Sequence, residues 1–285
     1  MDTLAEGGSF FEGPRWHAGR WWVSDFFRHG VFSCAADGGD LRLEAVLDKQ
    51  PSGLGREADG CLLIVSMLDR RLPRRTRSGA LEVVADLGSL AEGPCNDTVV
   101  DPAGRAWIGS FGRVADRIPW HGDFGMLAGA PPYAPSALLR VDPGGTASAA
   151  ADGLLFPNGC VITGCVITGC VITADGSTLI AEEMFAARYT AFTIAGDGSL
   201  VDRRVWAELP GACPDGCCLD AAGRVVRRRR GLRVSAGRTG RARRRQGGPA
   251  RRIHDVRVHA RRPLGRHAAP VLCTRCPCAA PGARR

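Results

Sequence analysis

No apolar run in this 285-residue chain approaches the roughly 20 residues that a helical membrane span requires. The opening segment, Met1-Asp2-Thr3-Leu4-Ala5-Glu6, is acidic where a secretory leader would be basic. Together these absences predict a cytoplasmic protein with no membrane partner. Lysine is missing from residues 224–285, and Asp255 is the lone acid there beside 20 arginines. After Cys273, Cys276 and Cys278 no second pair of ligands follows, so a zinc-like spacing begins there and is not completed. Without a secretory signal, the 12 cysteines read as small buried thiols rather than a disulfide framework.

What is present divides at residue 223. The formal charge of +9 is the sum of an acidic body and a basic tail. Residues 1–223 hold 18 basic and 28 acidic side chains, a balance of −10, and residues 224–285 carry +19. The 45% hydrophobic content is enough to fill a sizeable core.

Within the body a strand-turn-strand unit recurs, each time a Gly-containing turn followed by an alternating apolar strand. The copies are Gly19-Arg20 before WWVSD, Asp59-Gly60 before CLLIVS, Gly104-Arg105 before AWIGS, Asp175-Gly176 before STLIAE, and Ala222-Gly223. A second hairpin separates successive copies, which makes four strands per unit, the content of one propeller blade. Gly19, Gly60 and Gly104 lie 41 and 44 residues apart, a propeller-like period. The next interval is stretched by a Pro/Gly-rich loop over residues 118–136 and by GCVIT, which occurs at 159, 164 and 169. The prediction is an all-β, six-bladed propeller with about four recognisable blades in residues 1–223.

One polar slot repeats inside the unit. Ser52, Asn96 and Asp215 each stand eight residues before a turn glycine; Asn158 does so once the ten added GCVIT residues are discounted, and Glu12 stands seven before Gly19. The innermost strand of each blade lines the central channel, so equivalent slots converge on the axis. Glu12, Asp215, Asn158 and Asn96 would there form a hard, oxygen-only set suited to Ca²⁺, or to Mg²⁺ or Mn²⁺. Zn²⁺ prefers sulfur and imidazole donors but fits the same charge. The bland reading, in which Asn158-Gly159 and Asp215-Gly216 are ordinary turn dipeptides, does not account for the shared offset.

At these residues the chain resembles the SMP-30/gluconolactonase/luciferin-regenerating family. The resemblance runs through EGPRW (12–16), PSGLG (51–55), SMLDRRL (66–72), GPCNDTVVDPAGRAWIGSFG (93–112), LLFPNG (154–159) and LPGACPDGCCLDAAG (209–223). It implies a metal-dependent lactone hydrolase in which Glu12, Asn158 and Asp215 hold the cation. On the same grounds Asn96 contacts substrate and Asp215 acts as the catalytic acid/base. Animal members carry arginine where this chain has Pro94, so the resemblance implies the reaction type more firmly than the substrate. The loop containing Trp120, His121, Asp123 and Phe124 reads either as a lid or as a plain surface excursion.

The pattern breaks after Gly223, where strand alternation gives way to an Arg-rich segment. Its composition fits a reading-frame shift near codons 223–227 of a GC-rich gene, with the segment disordered. A genuine polybasic arm would instead bind nucleic acid or anionic lipid without specificity. With four blades and a fifth begun, closure by the usual route is not expected. The ten added residues follow Asn158 directly and must either loop out or shift the register of its strand. A propeller that only binds ligands or proteins is the alternative to the hydrolase.

Overall fold

Four turn glycines, Gly19, Gly60, Gly104 and Gly176, share a left-handed backbone, with φ between +72° and +85°. A β-carbon is disfavoured there, which is why glycine recurs in this slot. The computed structural model describes residues 2–112, 134–161, 171–172, 176–210, 214–219, 225–227, 256–261 and 271–274. Apart from two single-turn 3-10 helices, Phe26–Arg28 and Met184–Ala186, the regular structure of these residues is β.

The first strand, β1, is Asp2–Gly8. A first four-stranded antiparallel sheet holds β2 (Phe11–His17), β3 (Arg20–Asp25), β4 (Gly30–Ala35) and β5 (Arg42–Val46). The second holds β6 (Pro51–Arg56), β7 (Leu62–Ser66), β8 (Arg71–Arg75) and β9 (Leu81–Asp86). The third holds β10 (Cys95–Val100), β11 (Ala106–Ser110), β12 (Ser136–Val141) and β13 (Ala147–Leu154). In the fourth, β14 (Pro157–Val161), β16 (Thr178–Glu183), β17 (Arg188–Ile194) and β18 (Leu200–Glu208) run in order, and β15 (Val171–Ile172) also pairs with β16. Each is a meander of neighbours in sequence, as the repeating unit predicts.

Two smaller sheets complete the description. Strand β19 (Cys217–Leu219) pairs with β20 (Val225–Arg227), and β1 pairs with β21 (Val256–Arg261), itself paired with β22 (Val271–Thr274). The first strands of successive sheets pack side by side, β2 on β6, β6 on β10, β10 on β14 and β14 on β19, and β21 and β22 also touch β2. Most of the Arg-rich segment lies outside the described residues, but three short strands fall within it. Two of them, β21 and β22, offer the first blade a neighbour that the sequence did not suggest.

The core is inter-blade. Trp22, Val31, Leu54, Leu62 and Ile64 pack between the first two sheets, and Leu63, Val65, Leu72, Ile108 and Leu139 between the second and third. Trp107, Leu138, Leu179, Ile180, Phe192 and Cys217 fill the space from the third sheet to β19. Cys34, Cys61, Cys95 and Cys217 are buried free thiols, as their composition suggested.

The first and third GCVIT copies share one register: Val161 and Val171, ten residues apart, both oppose Ile180, and residues 162–170 lie outside the described residues. Three identical copies permit this, because removing two of them leaves the same residues facing β16.

Candidate functional site

Each first strand carries the same irregularity at the predicted slot. Between Glu12 and Arg15, Pro51 and Leu54, Cys95 and Thr98, and Pro157 and Cys160, three residue steps are matched by two on the partner strand. This is a β-bulge, which bends a strand and re-aims a side chain. It falls over Ser52, Asn96 and Asn158, and begins at Glu12. Close backbone packing accompanies it: a β-carbon on Gly53 would stand 2.3 Å from the Thr98 nitrogen.

The re-aimed side chains meet. Ser52 Oγ donates to Asn96 Oδ1 at 2.8 Å, Asn96 Nδ2 to Asn158 Oδ1 at 2.5 Å, and Asn158 Nδ2 to Asp215 Oδ1 at 2.8 Å. Three sheets and the segment entering a fourth thus contribute one group each, all donating in one direction and ending on a carboxylate. Ser52, Asn96 and Asn158 are buried. Asp215 presents surface to the channel, yet the surrounding walls strip it of bulk water, and the second effect governs its acidity.

Glu12 closes the group electrostatically. Burial raises its pKa well above the ordinary carboxylate value, and the charges of Asp215 and Asp97 raise it further against the opposing Gly13 N–H and Arg15. Asp215 is raised by burial too, partly offset by the Asn158 hydrogen bond. Two carboxyls that raise each other's cost of charging, with the Asp97 charge adding to both, form a site in which a cation would relieve both desolvation and repulsion. The donors are oxygens, with no thiolate or imidazole among them, so the residues fit a hard divalent ion.

Nearby charges are otherwise engaged. The buried Arg15 guanidinium donates through Nη2 to Asp97 Oδ1 at 3.0 Å and to the Thr98 carbonyl at 2.6 Å. Met184 Sδ lies 3.5 Å from Asn158 Nδ2. On β16, Glu182 is fully buried, and its Oε2 accepts the Gly216 N–H at 2.9 Å. Burial pushes Glu182 up to about 8, tempered by the Cys217 thiol and raised again by Asp215. Its neighbour Glu183 is the opposite case: burial raises it, but Arg188, Thr190 and the Leu155 N–H outweigh that and the net displacement is downward.

The sequence reading thus brought Glu12, Asn96, Asn158 and Asp215 to one place but gave Ser52 no role in it. Glu182 carried no signal, being one of two adjacent acids. Trp120, His121, Asp123 and Phe124 lie outside the described residues. A second set, Glu57, Asp59 and Cys61, gathers ligand atoms within 4.8 Å of one another on the β6–β7 turn. There Asp59 Oδ1 accepts the Cys61 N–H and Glu57 faces Arg74 at 3.6 Å, as an ordinary acidic turn does. It is separated from Ser52 by most of the length of β6.

Comparison with known proteins places this geometry in a family. The SMP-30/Gluconolactonase/LRE-like region matches residues 10–231. No curated protein matches the sequence. Among solved structures, a gluconolactonase from Xanthomonas campestris is 25% identical with a TM-score of 0.62, over 78% of this chain and 71% of the other. A calcium-binding regucalcin from Agrobacterium tumefaciens is 20% identical with a TM-score of 0.57, over 77% and 67%. A luciferin-regenerating enzyme is 16% identical with a TM-score of 0.60, over 78% and 69%. The bulged inner strands, the meander sheets and the profile match agree: the chain belongs to the SMP-30/gluconolactonase/LRE-like family of β-propellers.

Proposed function

We propose that this chain hydrolyses lactones of the sugar type, with a divalent cation, Ca²⁺ first, held by Glu12, Asn158 and Asp215. The observation that carries the reading is the directional chain from Ser52 through Asn96 and Asn158 to Asp215, with Glu12 coupled to its end. When bound, the cation supplies Lewis acidity toward a carbonyl oxygen.

The chain's own residues do the rest. Asn96, anchored by Ser52, presents its amide to substrate hydroxyls or the ring ester. Enclosure by the channel limits competing water and strengthens every polar contact within it. Asp215 takes a proton as water oxygen bonds to the carbonyl carbon. It returns that proton to the ring oxygen as the ring C–O bond breaks, giving one hydroxy acid and consuming one water. Burial raises its pKa, the direction in which a carboxylate becomes a better proton acceptor.

The test is hydrolysis of glucono-1,5-lactone followed by acid release, with Ca²⁺ present or removed by chelator. Cation-dependent hydrolysis abolished by Asp215→Asn is the expected result. A rate indifferent to both changes rejects the reading. Cation binding with a panel of sugar and aliphatic lactones left intact favours a binding propeller.

A further inference from the structure

Asp215 sits on a corner with little regular structure to hold it. Residues 214–216 precede β19 without joining its ladder, and Gly216 has φ +73°. What grips this corner is a carboxyl from the neighbouring sheet. Glu182 Oε2 accepts the Gly216 N–H at 2.9 Å across 34 residues of sequence, and the same carboxyl hydrogen-bonds the Cys217 thiol. Asn158 on β14 grips the Asp215 side chain itself. Backbone and side chain of the corner are therefore both tied to the fourth sheet.

Glu182 is a costly way to make this contact. It has no exposed surface and, among the described residues, no arginine partner, unlike Glu183, which is paired with Arg188 at 2.8 Å. A buried carboxyl without a cation beside it is a stability liability that an apolar residue would avoid. Acceptor oxygens behind a functional side chain are the usual means of fixing its orientation, and their loss commonly costs about 10–100-fold in affinity or activity.

We infer that Glu182 is the positioning residue for Asp215, clamping the Gly216–Cys217 backbone so that the Asp215 carboxylate stays directed at Asn158 and the channel. The inference rests on the lactonase reading for its functional consequence, but the clamp itself can be tested without cation or substrate.

The experiment compares the wild-type chain with Glu182→Ala and Glu182→Gln. Gly216 amide exchange in the cation-free protein, read by NMR, should quicken at least about tenfold in Glu182→Ala and be largely restored in Glu182→Gln, whose amide oxygen can still accept. Ca²⁺ affinity by calorimetry should fall about 10–100-fold in Glu182→Ala, with kcat falling likewise and KM changing by less than about threefold. The glutamine variant should recover most of both. Thermal melting serves as the control for folding. Unchanged Gly216 exchange in Glu182→Ala overturns the clamp, as does a glutamine variant no better than alanine. If the wild-type chain neither binds Ca²⁺ nor opens lactones, the functional reading fails, and the exchange arm still decides the clamp.

Discussion

Replacing Asn158 with leucine cuts the hydrogen-bonded chain at its middle. The two bonds of the chain that Asn158 makes are lost, the one accepted from Asn96 Nδ2 at 2.5 Å and the one donated to Asp215 Oδ1 at 2.8 Å. The first joins neutral groups and contributes about 0.5–1.5 kcal/mol net, and the second ends on a carboxylate and contributes about 1.5–3 kcal/mol. Leucine is similar in volume, so little cavity forms, but Asn96 loses a buried acceptor. Asp215 recovers part of its loss from channel water, since it presents surface there. The net cost is then about 1–3 kcal/mol, a fall of roughly 3–10 °C in Tm for a domain of this size. Chemical denaturation of both proteins measures it. The same substitution removes a proposed cation ligand, so Ca²⁺ should stabilise wild type and not the variant. A variant within about 0.5 kcal/mol of wild type that still responds to Ca²⁺ would refute the reasoning.

Three further outcomes are expected. Deleting residues 162–171 joins Val161 to Ile172 with β16 pairing preserved, and removing ten residues between two positions of one register should stabilise the fold by about 1–2 kcal/mol in denaturant melts. A deletion that destabilised the protein would show that the copies are not equivalent. Gly53→Ala places a methyl against the Asp97 and Thr98 backbone, which has no flexible end to yield, and should cost about 1–3 kcal/mol by the same measurement. Glu183→Gln removes a carboxylate whose folded-state pKa is depressed, so its contribution exists above the unfolded value near 4.5 and is lost as pH falls through the folded value. The gap between wild type and this variant should therefore be about 1.5–3 kcal/mol at pH 7 and close as the pH drops below about 4.

Much of this arrangement is readable from spacing. An eight-residue offset from a turn glycine was enough to gather Asn96 and Asp215, because a blade repeats its geometry whenever it repeats its turn. The bulge at that slot was not readable, since it is defined by a partner strand and Ser52-Gly53 or Asn96-Asp97 look locally like continuous strand. Ser52 was found by its offset yet passed over because a hydroxyl suggests no ligand chemistry, whereas its contribution is to orient Asn96. Glu182 and Glu183 are adjacent in sequence and opposite in environment. Only the pleat, which sends one toward Gly216 and the other toward Arg188, separates their roles. The pairing of β1 with β21 was missed for a different reason: Val256, Val258 and Ala260 do alternate with Arg257, His259 and Arg261, but six residues of alternation are easily lost inside an arginine-rich segment.

The central claim is that Glu12, Asn158 and Asp215 form one cation site at the channel axis. Anomalous diffraction from crystals soaked in Mn²⁺ tests it most directly. The account predicts a single strong peak within bonding distance of oxygens from all three residues. A peak instead at the Glu57, Asp59 and Cys61 turn, or none along the channel, would contradict it.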